Sequence, residues 1–309
     1  MRVFVAGATG ALGVPVVKLL VAGGHEVTGL TRSEGKRPAL ERLGASSVVG
    51  DVLDASSVEV AIGEAKPDAI VSLLTRLPQR GPTSARHLRP NARVHREGTR
   101  NIVRAATGAG VDRIVAESVI FRYGYGDLPP MLREEDPAPE SLSVPVARNA
   151  LDAVKALEES VIGADGIVLR YGLFYGASAG HVEFIAKMLR RGMMRLPGGD
   201  RGALSWIHLD DAASATVAAL ERGRAGEIYN ICDDEPASFA AFTKEMAAAI
   251  GARPPKSIPA GVAKAVMPYF VLAMTGTVTM SNAKAKSELG WKPRYPSVRE
   301  GLSEMRRSA

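Results

Sequence analysis

Apolar and polar positions follow two rhythms along this chain, and the first twenty residues show both. Val3, Phe4, Val5 and Ala6 form an unbroken apolar run, the pattern of a strand buried on both faces, whereas Val16, Val17, Leu19 and Leu20 predict one apolar helix stripe. Between them lies Gly7-Ala8-Thr9-Gly10-Ala11-Leu12-Gly13, and Pro15 falls early enough in the helix to be tolerated. Further strands are predicted at Glu26–Thr31, up to Gly50-Asp51-Val52, and at Asp68–Leu74, Arg113–Glu117 and Gly166–Tyr171. Helices are predicted at Asn91–Gly108 and Val146–Ile162. Apolar strands alternating with helices predict an α/β fold, a doubly wound parallel sheet of Rossmann-like type covered on both faces.

Beyond Tyr171 the rhythm loosens into a helix near Val182–Arg191, a strand at Leu204–His208, a helix through Asp210–Leu220, a strand at Glu227–Ile231, and then mainly helices. This divides the chain into a dinucleotide-binding domain over 1–172, rejoined by about 204–232, and a smaller, discontinuous substrate-side domain over about 173–203 and 233–309. Two long irregular stretches, Arg76–Pro90 and Tyr123–Pro145, fall at the carboxyl ends of strands, where such sheets bind ligands.

The glycine turn changes this picture from a fold into a site. A tight strand-to-helix turn needs glycine where the backbone reverses and approaches a ligand, and the helix that follows offers N–H groups to a phosphate. Gly7, Thr9, Gly10, Ala11, Leu12 and Gly13 are therefore the candidate pyrophosphate seat. An acid at the end of the second strand binds an adenosine ribose, whereas a basic residue accommodates its 2′-phosphate. Here that strand runs into Arg32-Ser33, with Lys36 and Arg37 close behind, which favours NADP over NAD; in the alternative, Glu34 takes the ribose. Asp51 suits the adenine amino group or a simple turn, and Val52, Leu73, Leu74, Thr75, Tyr171 and Leu173 complete the expected cofactor lining at strand ends.

Composition adds bounds. The 309 residues, 46% of them hydrophobic, suffice for a large core, and the single Cys232 excludes an internal disulfide. No cleavable leader is expected, because the glycine turn interrupts the first apolar run, so the expected location is cytoplasmic. The formal charge of +6 concentrates around Arg76, Arg80, Arg86, Arg89, Arg93, Arg96, Arg100 and Arg104, with His87 and His95. Without interleaved aromatics this reads as a solvated loop and helix face, with no nucleic-acid partner. The run Ala265–Met280 is too short to span a membrane, contains Pro268, and is expected to be a buried or site-covering helix.

By its motifs the chain resembles the extended short-chain dehydrogenase/reductase superfamily, in its epimerase/dehydratase branch. The matches are Gly7–Gly13, Gly50-Asp51-Val52, Gly98-Thr99 with Asn101, Leu169-Arg170-Tyr171 with Tyr175-Gly176, Ile207–Asp211, Tyr229-Asn230, and Ala283–Lys286 running into Leu289-Gly290-Trp291. In that family a Tyr and a Lys four residues apart share one helix face and perform the acid–base chemistry. Lys155, followed by Glu159, matches the Lys; the Tyr position is Leu151.

Leucine moves no proton, and general acid–base catalysis typically contributes 10²–10⁴-fold. The resemblance implies that Lys155 holds the nicotinamide ribose and that Ser118 is the active-site hydroxyl, with Tyr123 or Tyr125 as a substitute phenol; Glu117 and His95 are further candidates. His95 stands where the family has Asn on the helix beside the nicotinamide, so it is expected to titrate near neutrality, or else to be a plain helix-face histidine. Sugar-nucleotide members carry an Asn where Leu173 stands and an Arg near Leu204, so a small, largely apolar substrate is expected instead. Met188, Met193, Met194 and the run Val266–Met274 are candidate walls of its pocket.

Three functions remain open from the sequence: an NADP-dependent oxidoreductase, an isomerase or cyclase with recycled or structural NADP, and a non-catalytic NADP-binding sensor or scaffold. The resemblance also implies a homodimer, through the helices at Asn91–Gly108 and Val146–Ile162.

Overall fold

Seven parallel strands form the central sheet: β1 (Arg2–Ala6), β2 (Glu26–Thr31), β3 (Ser46–Val49), β4 (Ala69–Ser72), β5 (Arg113–Val119), β6 (Ile167–Tyr171) and β7 (Ile228–Ile231). They lie in the order β7-β6-β5-β4-β1-β2-β3, so the order reverses between β1 and β4. All adjacent pairs are parallel, and their carboxyl ends therefore share one edge. The computed structural model describes residues 1–78, 81–82, 84–139, 145–176, 178–197 and 200–307.

Helices cover both faces. Gly13–Ala22 and Leu209–Arg222 pack on one side with Val3, Val5, Val71, Val115 and Leu169; Ala55–Ala65, Thr99–Gly108 and Pro145–Ile162 pack on the other with Phe4, Ala6, Ile70, Ile114 and Val168. The alternation of these strand residues between two cores is the physical reason the strands read as continuous apolar runs. The first core continues without a break into the C-terminal part, where Trp206 stacks on Phe242 at 4.1 Å between ring centroids.

Several boundaries differ from expectation. The stripe of the first helix is Gly13, Val16, Val17 and Leu20, while Leu19 is exposed. The helix expected from Asn91 begins at Ala85, carries Pro90 within it, and passes through a π-helical turn at Val94–Gly98 before continuing at Thr99. Pro90 was the misleading signal, since it normally marks a helix end. Arg80 of the basic segment lies outside the described residues. The strand expected at 204–208 is two short ones, Ala203–Leu204 and Trp206–His208, the latter paired with Leu173–Tyr175. The run Ala265–Met280 breaks into the end of helix Ala260–Val266, helix Pro268–Met274 and strand Thr277–Val278, and Val266 is exposed.

The second long irregular stretch is laced to the C-terminal segment. Leu128 N–H donates to Thr277 O, Leu132 N–H to Thr279 O, and Ser281 N–H to Leu132 O. These bonds hold 124–139 across the carboxyl end of the sheet.

Candidate active site

The site begins where β1 ends. Gly7 has φ +86°, and a Cβ there would lie 2.2 Å from the carbonyl oxygen of Leu73, the first residue after β4. A Cβ at Gly13 would lie 2.1 Å from Gly7 O. Only glycine fits either place, and the result is a turn drawn tight against the switch point between β1 and β4. Gly10 and Ala11 are exposed at its tip, and no side chain caps the helix that starts at Gly13. The first N–H groups of a helix have no partner within it, so this end presents donors to an anion. The cradle fits a dinucleotide pyrophosphate.

At the end of β2 the charges sort themselves. Glu34 is paired with Arg37 at 3.1 Å, and Arg37 also donates to Ser47 Oγ at 3.0 Å. That leaves Arg32, exposed one residue past the strand, beside Ser33. Asp51 accepts from Leu53 N–H at 3.0 Å in a local turn and is exposed. Val52 is buried and its carbonyl accepts from Asn101 Nδ2 at 2.9 Å, so the family-like Asn101 fixes the strand end.

The segment after β4 is held by a chain of neutral groups. Arg76 N–H donates to Asn91 Oδ1 at 2.7 Å, Asn91 Nδ2 lies 3.2 Å from His95 Nε2, and His95 is also bonded to the Leu74 backbone. Burial pushes the His95 imidazole down to about 4. It is therefore neutral at physiological pH and does not titrate near neutrality; the enclosing π-helical turn is what removes it from water. Leu73 and Leu74 are buried, and Thr75 is exposed, with its hydroxyl donating to Glu117 Oε1 at 2.7 Å. Shielding from water pushes the Glu117 carboxyl up to about 7, against the opposite pull of the hydrogen bond from Thr75.

Ser118 and Tyr123 stand elsewhere than expected. Adjacent residues on a strand point to opposite faces, so Ser118 turns away from Glu117 and donates to Glu158 Oε1 at 2.6 Å. Glu158 is clasped by Arg170 through two bonds of 2.9 and 2.8 Å and lies 3.4 Å from Arg122. This buried cluster ties β5, β6 and helix Pro145–Ile162 together. The Tyr123 ring lies under the Arg170 guanidinium, and its hydroxyl bonds Arg133 O at 2.8 Å and Asn230 Oδ1 at 3.0 Å. Both hydroxyls are committed to the interior.

Lys155 is partly exposed and lies 3.9 Å from Glu159. Leu151 one turn earlier is buried, and the sequence Asn149-Ala150-Leu151-Asp152 offers no phenol. The Tyr171 side chain is core: its hydroxyl pairs with Thr216 at 2.7 Å beneath the sheet edge, so it does not line the cofactor crevice. Leu173 starts the small ladder with Trp206. Tyr125 stacks on Phe121 at 4.6 Å, with its hydroxyl 3.4 Å from that of Tyr269. Of the expected methionine wall, Met194 packs on the core while Met193 is exposed.

The sequence reading missed Glu158, Arg122 and the partnership of Arg170. The signal was present: Arg170 sits inside the apolar strand Ile167–Tyr171, and a buried cation demands a buried acid.

A profile of the NAD-dependent epimerase/dehydratase family matches residues 3–232. The chain belongs to this family. A nicotinamide cofactor goes with that membership. Over its full length the chain is 38% identical to a 3-diazoavenalumate denitrifying reductase from a Streptomyces species, covering 98% of this chain and 99% of the relative. It is 26% identical to a 4-hydroxy-2-methyl-3-oxo-4-farnesyl-3,4-dihydroquinoline-1-oxide ketoreductase of Stigmatella aurantiaca, covering 100% and 96%. In structure it resembles a UDP-glucose 4-epimerase of Thermotoga maritima, with TM-score 0.81 at 20% identity and coverage of 99% and 98%. The fold is that of the extended short-chain dehydrogenases, and both of these relatives in sequence are named as reductases. No helix among the described residues is long and apolar enough to cross a membrane.

Proposed function

We propose that this protein is an NADP-dependent reductase acting on a small, largely apolar acceptor rather than a nucleotide sugar. The carrying observation is the charge arrangement after β2: Glu34 is turned to Arg37 at 3.1 Å, and Arg32 and Ser33 are exposed directly past the strand, the position from which a basic residue reads a ribose 2′-phosphate. The acceptor side supports an apolar ligand. Phe121, Tyr125 and Tyr269 form an aromatic group above the sheet edge, and aliphatic Leu173 and buried Leu204 stand where a diphosphate would need donors.

When bound, the dinucleotide supplies a hydride; the chain supplies phosphate donors, orientation and a proton. Lys155 is the residue placed to hold the nicotinamide ribose. The test is a fluorescence titration with NADPH and NADH, followed by turnover on a panel holding aryl ketones, enones, 9,10-phenanthrenequinone and a stable arene diazo compound. Preference for NADPH with oxidation on the panel is expected. Equal affinity would refute the reading of Arg32, and tight binding with no turnover would return the non-catalytic reading.

A second acceptor class is favoured by a specific pair of observations. The relative at 38% identity is named for a diazo substrate and its denitrification, and Leu151 removes the phenol that protonates a carbonyl oxygen. Replacing a diazonium group by hydride breaks a carbon–nitrogen bond, releases dinitrogen with its electron pair, and needs no proton at the reacting carbon. Mass-spectrometric detection of labelled dinitrogen from the diazo compound decides this reading.

A further inference from the structure

We propose that Glu117, held by Thr75, is the proton-transfer group of this site and performs the task for which the helix Pro145–Ile162 carries no phenol. The inference rests on the reductase reading above and goes beyond it by naming the acid.

Position comes first. Ser72 is paired with Ala116, so Glu117 starts level with Leu73. Its bond to Thr75, two residues further on, carries the carboxyl past the end of β4 to the level of Val119, the last residue of β5. That is the edge at which Gly7 is drawn against Leu73, one strand from the switch point. Oε1 takes the Thr75 hydroxyl, whereas Oε2 has no hydrogen-bond partner among the described residues and is not sealed from solvent. An acid with one oxygen anchored and one open is oriented and still able to give up a proton.

The other titratable groups at this edge are spent. His95 is neutral and engaged by Asn91 and the Leu74 backbone. Tyr123 is bonded to Arg133 and Asn230, and Tyr125 to Tyr269. Ser118 faces the Glu158 cluster. Tyr171 on β6 faces Glu117 with a phenol that burial keeps neutral, and the segment after β4 offers it the uncharged Thr75 hydroxyl, followed by the exposed Arg76. Burial outweighs the Thr75 bond at this carboxyl, and a group titrating at about 7 is matched to proton transfer at neutral pH.

The step balances. As hydride reaches the acceptor carbon, the carbonyl π pair moves onto oxygen, the Glu117 O–H bond breaks and an O–H bond forms on the acceptor. The carboxylate left behind regains its proton from solvent at the open oxygen.

The experiment is infrared difference spectroscopy on the full-length protein and on Glu117→Gln, with NADP⁺ and NADPH as probes. The wild type is expected to show a protonated-carboxyl band, absent in E117Q, with a midpoint near neutrality. The cationic ring of NADP⁺ is expected to lower that midpoint and NADPH to leave it. On 9,10-phenanthrenequinone, E117Q is expected to lower kcat by about 10²–10⁴-fold with KM and NADPH affinity within threefold, and Glu117→Asp to recover part of it. A midpoint indifferent to NADP⁺, or an E117Q enzyme with wild-type kcat, overturns the proposal while leaving the reductase reading intact. Failure of the wild type to bind NADPH removes both.

Discussion

Replacing Ser118 by alanine separates two roles for a hydroxyl at the end of β5. In the structure its O–H donates to a buried carboxylate, Glu158 Oε1, at 2.6 Å. A hydrogen bond to a charged group contributes about 1.5–3 kcal/mol. Glu158 keeps two bonds from Arg170 and the neighbouring Arg122 after the substitution, so the cluster survives and only that one bond is lost. At about 2.1 cal/mol/K of unfolding entropy per residue, 1 kcal/mol moves the Tm of this 309-residue chain by about 1.5 °C, so the expected fall is about 2–5 °C. Glu158→Ala is the stronger perturbation. It strands the Arg170 guanidinium, whose side chain is 5% exposed, without its partner, and breaking a buried pair from one side costs about 3–5 kcal/mol. Calorimetry or thermal fluorescence should therefore rank wild type above Ser118→Ala above Glu158→Ala, while NADPH affinity and kcat of Ser118→Ala stay within threefold of wild type at a temperature where it is folded. A Ser118→Ala protein with unchanged Tm and kcat reduced a hundredfold would refute the structural assignment and return the hydroxyl to the chemistry.

Other parts of the site give their own tests. His95 is lowered from 6.5 to about 4 by burial, so its neutral form stabilises the fold fully above about pH 6.5 and that contribution is lost as pH falls toward 4. At 1.36 kcal/mol per unit it amounts to about 3 kcal/mol. Guanidinium midpoints for wild type and His95→Gln should converge across that window, and parallel curves would contradict the burial argument. Gly13→Ala places a methyl 2.1 Å from Gly7 O, and should abolish NADPH binding in a fluorescence titration while leaving far-UV circular dichroism unchanged; retained affinity would show that the turn yields. Arg32→Glu should weaken NADPH by about 10–100-fold, from the loss of a charge-assisted contact, and weaken NADH little. Equal losses for both would place the residue away from the 2′-phosphate.

Legibility followed the kind of signal each residue carries. The sheet was readable because its strands are buried on both faces, and the phosphate seat because glycine spacing is a backbone requirement with few other uses. Ser118 and Glu117 show where reading stopped. They are neighbours on one strand, and a shift of one residue in register exchanges the face that meets the crevice for the face that meets Glu158. That one-residue step is the whole difference between an interior hydroxyl and a group at the sheet edge. His95 was legible as a residue type and illegible as an acid or base, because its protonation is set by burial, which no local spacing announces.

Losing the phenol at Leu151 has a structural counterpart. An acid on helix Pro145–Ile162 reaches the reacting centre from above the sheet and depends on how that helix sits. An acid on β5 is part of the sheet itself, and its anchor Thr75 belongs to the adjoining segment that His95 and Asn91 hold through neutral bonds. Those bonds do not weaken when the acid changes charge, whereas a cation at the same place would hold the carboxyl ionised and useless as a donor. On this argument the neutrality of His95 is a requirement of the arrangement: Asn91→Asp, which sets a charge beside the imidazole, should raise the His95 pKa, bring a cation to the Leu74 segment, and draw the Glu117 midpoint down. Infrared titration of Asn91→Asp reads that shift directly, and an unmoved Glu117 midpoint would show that the two groups are electrostatically independent.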